Sequence, residues 1–268
     1  MGVAGNLRVV RIARYTTGDE PEFGVVGGED GAEVVATLVG DPLYAGIELT
    51  GGQHPLVDVR LLAPVIPRSK VVGIGRNYAA HAEELGNEVP EEPLVFLKPN
   101  TSVVGPGDPI VYPKQSSNVH FEGELAVVIG RICRDVPAER AQEVVFGYTV
   151  GNDVSARDLQ DSDGQWARAK GFDTFCPLGP WIETDLDPSD LLITTELNGE
   201  VKQRASTSLM LVDVPAIIAH VTSFMTLLPG DVILTGTPAG VAPMQPGDDV
   251  AITIASIGTL ANKVVTRG

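Results

Sequence analysis

The sequence predicts a mainly β protein of mixed β/α character, built as a roll of curled mixed sheets with a small β-rich N-terminal portion. Three observations carry this prediction. Apolar runs are short and bounded by Gly, Pro, Asn or Asp, the punctuation of strands and turns. Pro-Gly-Asp recurs at Pro106, Pro229 and Pro246 with irregular spacing, which marks turns and not a repeat. Helical patterning is confined to residues 78–85, 138–144 and 213–228.

Taken in order, short strands are expected over 7–13, 23–26 and 33–38, with turns at Gly18-Asp19 and Gly27-Gly28 between them. Pro64 and Pro67 mark a link, so residues 1–66 are expected to form a small N-terminal β-rich domain and 67–268 a larger one. A strand over 71–75 ends in glycines. A dinucleotide fingerprint would need Gly or Ala where Tyr78 stands, so that reading fails at its own spacing. Asn77 is expected to cap the helix over 78–85, on which His81 and Glu84 share a face. Strands follow over 94–97, 110–112, 125–129 and 146–150. The helix over 213–228 tolerates Pro215 in its first turn and aligns Ile217, Val221, Phe224 and Leu228 in one stripe. Strands over 232–235, 250–255 and 260–265 close the chain.

Charge narrows the function. With 35 acids against 19 bases the net charge is -16, which opposes encounter with nucleic acid or an anionic membrane. A small anionic substrate then requires a local cation, from a metal or from placed Arg and Lys. Cys133 and Cys176 form neither a disulfide framework nor a CxxC pair, and nothing activates either thiol. No charged-then-apolar leader opens the chain and no apolar run reaches membrane-spanning length, so a cytoplasmic location is expected.

One stretch stands out, His120-Phe121-Glu122-Gly123-Glu124, running into the apolar 125–129. Extended chain sends residues i and i+2 to the same face, so Glu122 and Glu124 stand side by side at the mouth of a buried strand. Two carboxylates that close repel, and burying them costs several kcal/mol each unless a cation offsets them. For an isolated Glu-x-Glu the commoner arrangement is a solvated strand end. Asp153, at the end of the strand over 146–150, could supply a third oxygen from a neighbouring strand. Three such oxygens suit Mg²⁺ or Mn²⁺, whereas zinc is disfavoured by the absence of HExxH or paired Cys.

Five segments, taken in order, resemble the fumarylacetoacetate hydrolase family: GIGRNYAAH (73–81), FLKP (96–99), NVHFEGEL (118–125), NDVSARD (152–158) and LTGTPAGV (234–241). The resemblance runs from about Lys70 to the C-terminus and implies that family's β-roll for 67–268, with the N-terminal part as a variable small domain. It implies Glu122, Glu124 and Asp153 as ligands of Mg²⁺ or Mn²⁺, and His81 with Glu84 as the pair that activates water in hydrolytic members. It further implies Lys170 as the active-site lysine, Arg157 and Gln160 near the substrate's carboxylate and oxo groups, and Thr237 at the substrate carboxylate. Arg76 falls in the first segment and joins the substrate-binding set. Phe121 departs from the pattern, since many relatives carry a polar residue there, and a change around the metal is expected from it.

The chemistry implied is that of 2-oxo and 2,4-dioxo acids. A divalent cation stabilises enolate charge where it develops, and His81 takes a proton from water with Glu84 behind it. C–C hydrolysis of an acylpyruvate-type substrate is the leading expectation. Isomerisation of 2-hydroxyhepta-2,4-diene-1,7-dioate and decarboxylation of oxaloacetate use the same site, and a non-catalytic metal or oxo-acid binding protein is the alternative from another class. A homodimer is implied by the resemblance alone. Read singly, His81 and Lys170 could be ordinary surface groups, Arg157 could pair with Asp158, and 235–238 could be a plain turn; His220 reads as structural.

Overall fold

The computed structural model describes residues 10–266 apart from Asp19, Asp30, Leu85 and Asn87. The start of the strand expected over 7–13, Asp19 of the Gly18-Asp19 turn and the last residue of the helix expected over 78–85 therefore lie outside the described residues. The protein is predominantly β, as expected, and its sheets are mixed and open. The path through the main sheet runs Leu49–Pro55, Val34–Leu38, Glu22–Gly27, Arg11–Thr16, Cys176–Glu183, Val145–Asn152, Gly123–Ile129, Val232–Leu234, Val71–Gly75, Leu94–Lys98. A five-stranded sheet holds Leu192–Leu197, Glu200–Ser206, Asp249–Ile254, Gly258–Thr266 and Ile110–Tyr112, and Val119–His120 pairs with Ser155–Ala156.

Strand Gly123–Ile129 is buried at every position, which is why it reads as a continuous apolar run instead of an alternating one. Leu125, Val127 and Ile129 face one core with Ile217, Val221 and Ile252, while Ala126 and Val128 face another with Val10, Ile12, Leu178 and Ile182. It is antiparallel to both neighbours, with Leu125 opposite Val150 and Val127 opposite Ile233. The N-terminal strands continue the same sheet, Ile12 pairing with Ile182.

Several elements differ from expectation, each for a physical reason. Asn77 does not cap the short helix Ala79–Glu84; its amide donates to the Val212 and Thr235 carbonyls at 2.9 and 2.8 Å, and its Oδ1 accepts from the Val212 N–H at 2.8 Å. The window 138–144 is a 3-10 segment, Ala138–Glu143. The last helix is Val214–Phe224, capped by Asp213, whose carboxylate accepts from the Ala216 N–H at 2.9 Å. Its buried stripe is Val214, Ile217, Ile218 and Val221; Phe224 turns outward against His220, and Leu228 lies beyond the helix end. Among the described residues no helix is long and apolar enough to cross a membrane.

Candidate active site

Alternation along 120–124 sends His120, Glu122 and Glu124 into one cavity of about 480 Å³. Phe121 goes the other way, fully buried in the core. The change around the metal expected from Phe121 is therefore not found, because its side chain lies on the opposite face of the segment and does not line the cavity. Asp153 arrives from the adjacent strand: Gly123 pairs with Asn152, the next N–H, that of Asp153, donates to the Glu122 carbonyl at 2.9 Å, and His120 pairs with Ser155. Glu122, Glu124 and Asp153 each offer an oxygen within 4.8 Å of the others, and none is more than 3% exposed. The solvated strand end is excluded.

Cations surround two of the three carboxylates. Lys170 Nζ donates to Glu122 Oε2 at 2.6 Å and Asp153 Oδ2 at 2.5 Å, Lys98 Nζ donates to Asp153 Oδ1 at 2.5 Å, and Arg157 pairs with Glu122 and donates to Gln160 Oε1 at 2.8 Å. Arg157 thus pairs with Glu122 and not with Asp158, whose carboxylate accepts from Ser116 and Ser117. Lys170 is 2% exposed and so is not a solvated surface lysine. No ion pair among the described residues engages Glu124, which accepts the Gly236 N–H at 2.7 Å. Gly236 stands at φ +100, and a Cβ there would lie 2.7 Å from Asn77 Cβ, so this donor position needs glycine.

The electrostatics follow. Burial opposes ionisation of Glu122, but Arg157 and Lys170 outweigh it and hold the carboxyl well below the ordinary range. Burial, then Asp153 and Glu122, push the Glu124 carboxyl well above that range. Burial opposes the charge on Lys170 too, yet Asp153 and Glu122 raise it overall. This donor set fits a divalent cation: three buried carboxylates whose oxygens keep spare lone pairs, one of them in no ion pair among the described residues. Glu122, Glu124 and Asp153 are the residues that would hold it.

His81 lies in the same cavity, 4% exposed, with Nδ1 3.5 Å from Glu84 Oε2, a contact too long for a well-formed hydrogen bond. Burial holds its imidazole below the ordinary value despite the pull of Glu122. Glu84 stands behind it, outside the cavity lining, and both its oxygens accept the Gly240 N–H at 3.1 Å. Gly240 is at φ +101, and a Cβ would meet the Lys202 carbonyl oxygen at 2.0 Å. Thr237 lines the cavity, but its hydroxyl donates to the Gly123 carbonyl at 3.0 Å and accepts from Gln203 Nε2 at 2.7 Å. Its single proton is committed, so holding a substrate carboxylate through the hydroxyl requires breaking that bond.

Apart from Glu84, the site residues singled out in the sequence all line this cavity: Arg76, His81, Glu122, Glu124, Asp153, Arg157, Gln160, Lys170 and Thr237. Sequence reasoning missed Lys98 and His120. A lysine closing an apolar strand inside FLKP was the signal for Lys98. For His120 the signal was its place two residues before Glu122. The His120 Nε2 lies 2.9 Å from Asn118 Oδ1, its Nδ1 is buried with no hydrogen-bond partner among the described residues, and burial with Arg157 pushes the imidazole down to about 4.

The chain is similar to known proteins along most of its length. The family profile described as fumarylacetoacetate (FAA) hydrolase C-terminal matches residues 70–265, and one described as Rv2993c-like, N-terminal, matches 10–64. A solved structure of 2-hydroxyhepta-2,4-diene-1,7-dioate isomerase from Mycobacterium marinum is 54% identical with TM-score 0.89, covering 97% of this chain and 99% of that one. Oxaloacetate tautomerase FAHD2A, mitochondrial, of Homo sapiens is 45% identical over 223 residues, 79% of this chain and 71% of that protein. Maleylpyruvate hydrolase from Sphingobium sp. SYK-6, solved with manganese(II) and pyruvate, is 33% identical with TM-score 0.78, covering 96% and 100%.

Proposed function

From its membership of the fumarylacetoacetate hydrolase family, to which the chain belongs as an enzyme, we propose that it is divalent-metal-dependent and moves a proton at C3 of a 2-oxo acid, interconverting keto and enol forms or shifting a double bond. The observation that carries this reading is a buried His81 in one cavity with Glu122, Glu124 and Asp153. A divalent cation held by those carboxylates, Mg²⁺ or Mn²⁺, would supply the Lewis-acid charge that stabilises an enolate. The likeness to a structure containing manganese and pyruvate supports that choice.

The chain's own residues supply the rest. Nδ1 of His81 faces the Glu84 carboxylate at 3.5 Å, which favours a proton on Nδ1 once the two close to hydrogen-bond distance and so leaves the Nε2 lone pair to take the C3 proton. Glu84, fixed by Gly240, stands where a closer approach would orient the ring. Lys170 and Arg157 keep Glu122 ionised, and Lys98 and Lys170 hold the Asp153 carboxylate in place through charge-assisted bonds. Keto–enol conversion asks only for a base and a charge stabiliser, and relatives named as an isomerase and an oxaloacetate tautomerase support it.

A second reading, hydrolysis of an acylpyruvate-type C–C bond, is favoured by the His81–Glu84 contact, since water activation needs an oriented imidazole. The small anionic substrate and the homodimer belong to both readings. The test is turnover of enol-oxaloacetate, 2-hydroxyhepta-2,4-diene-1,7-dioate and acetylpyruvate with Mg²⁺ and with Mn²⁺. Metal-dependent conversion of either of the first two, lost in His81→Ala, is expected. Consumption of acetylpyruvate alone would instead establish hydrolysis, and metal-dependent binding with no turnover across the panel would leave a binding protein.

A further inference from the structure

A second cavity, of about 250 Å³, lies where the N-terminal strands meet the rest of the chain. It shares no lining residue with the active cavity. Its apolar wall is drawn from both family matches, with Ile12, Phe23 and Leu43 on one side and Phe146 and Ile182 on the other.

Among these apolar side chains stands Arg14. Strand Arg11–Thr16 alternates, so Ala13 and Tyr15 pack into one cluster while Arg14 shares the other face with Ile12, which packs with Phe23, Leu43 and Phe146. Arg14 pairs with Phe23 and Leu62 on the neighbouring strands, at a position where the alternation calls for an apolar residue. A guanidinium keeps its proton in a protein, so a charge stands against the apolar wall, and burial works against it. Among the described residues Arg14 has neither a hydrogen bond nor an ion pair.

The other two charged groups on the lining face each other. Asp41 caps the short helix Pro42–Ala45, its Oδ1 accepting the Leu43 N–H at 3.0 Å, and its Oδ2 lies 4.0 Å from the Arg68 guanidinium. Arg68 in turn rests over the Tyr44 ring, 4.1 Å from its centroid. Asp41 attracts Arg14 without pairing with it. The cavity therefore keeps one positive charge in excess, on a fork of N–H donors with no acceptor among the described residues.

Size, lining and charge together define a ligand. Pockets for drug-sized molecules run to about 300–1,000 Å³, so this one suits a smaller molecule. The wall of Phe23, Phe146 and Ile182 asks for an apolar body, and the Arg14 fork matches a carboxylate in geometry as well as charge. We infer that this cavity is a second ligand site, which takes a small apolar monocarboxylate, aryl or short-chain alkyl, with its carboxylate on Arg14. A molecule seated there touches both parts of the chain and ties the N-terminal strands to strand Cys176–Glu183 through Ile182.

The experiment is calorimetric binding to the Mn²⁺-loaded full chain of two matched pairs: benzoate with benzyl alcohol, and hexanoate with 1-hexanol. Wild type is expected to prefer the acid by about 10-fold or more in at least one pair, as one charge-assisted contact allows. Arg14→Met, which ends the side chain in an apolar group, should bring that ratio to one or below while the alcohol still binds, and Arg14→Lys should restore part of the preference. Glu124→Gln should leave the ratio as it is, since the active cavity lies elsewhere. No saturable binding of either acid at millimolar concentration, equal affinities within both pairs in wild type, an acid preference undiminished in Arg14→Met, or a preference lost in Glu124→Gln would each overturn the site. Loss of acid and alcohol together in both Arg14 variants would also overturn it, by making Arg14 a structural residue of its strand.

Discussion

At the scale of single residues, the site is a problem in charge that the protein solves unevenly. Glu122 and Glu124 stand on the same face, yet Arg157 and Lys170 hold the first below the ordinary carboxylate range while burial and its neighbours lift the second above it. Their effects on stability have opposite signs. The depressed carboxyl of Glu122 contributes stability that is present above its unfolded value and lost as pH falls through its folded one. The raised carboxyl of Glu124 contributes stability at low pH that is lost as pH rises from the unfolded value through the folded one. A divalent cation relieves the second loss. Urea unfolding across pH should therefore show a stabilisation by Mn²⁺ that grows as pH rises, whereas a gap independent of pH would contradict the assignment of Glu124. The i, i+2 spacing made the carboxylates legible in the sequence. The ion pairs were not legible, because Lys98 and Lys170 reach Asp153 from 55 and 17 residues away and only the folded sheet brings them together.

At the scale of elements, the loop after strand Val232–Leu234 works through its backbone. Gly236 and Gly240 deliver N–H groups to Glu124 and Glu84 from left-handed conformations that leave no room for a Cβ. Gly240→Ala should lower turnover by freeing Glu84 while leaving Mn²⁺ affinity near that of the unmodified protein; parallel loss of both would mean the loop had collapsed as a whole. The Pro-Gly-Asp turns were legible for a similar reason. Gly107, Gly230 and Gly247 all have positive φ, and Asp108, Asp231 and Asp248 each accept an N–H from three residues before. The hairpin Leu192–Leu197 to Glu200–Ser206 carried its signal too, in Asn198-Gly199 at φ 54 and 79, but its polar alternation hid it among loops. Strand Cys176–Glu183 was harder to read, because Pro177, Gly179 and Pro180 interrupt its pattern.

At the scale of the whole molecule, the N-terminal strands extend the sheet that carries the site, joining it at strand Cys176–Glu183, and share one of its apolar faces. Val10, Ile12, Leu38 and Val65 pack on Ala126, Val128, Leu178, Ile182, Val232 and Leu234. Removing residues 1–66 should uncover that apolar face and the edge of strand Cys176–Glu183, so the truncated chain is expected to bind a hydrophobic dye and aggregate in light scattering; a monodisperse, dye-silent fragment would contradict this. The fold class and many of the main sheet's strands follow from short apolar runs and turns, but the strand order does not, and the pairing that joins Arg11–Thr16 to Cys176–Glu183 spans most of the chain and leaves no local trace. The central claim is that Glu122, Glu124 and Asp153 form one divalent-cation seat. Calorimetric titration of Mn²⁺ into metal-stripped protein tests it most directly: about one ion per chain with release of a proton as Glu124 ionises, and loss of binding in Glu124→Gln and Asp153→Asn. Binding undiminished in both variants would contradict it.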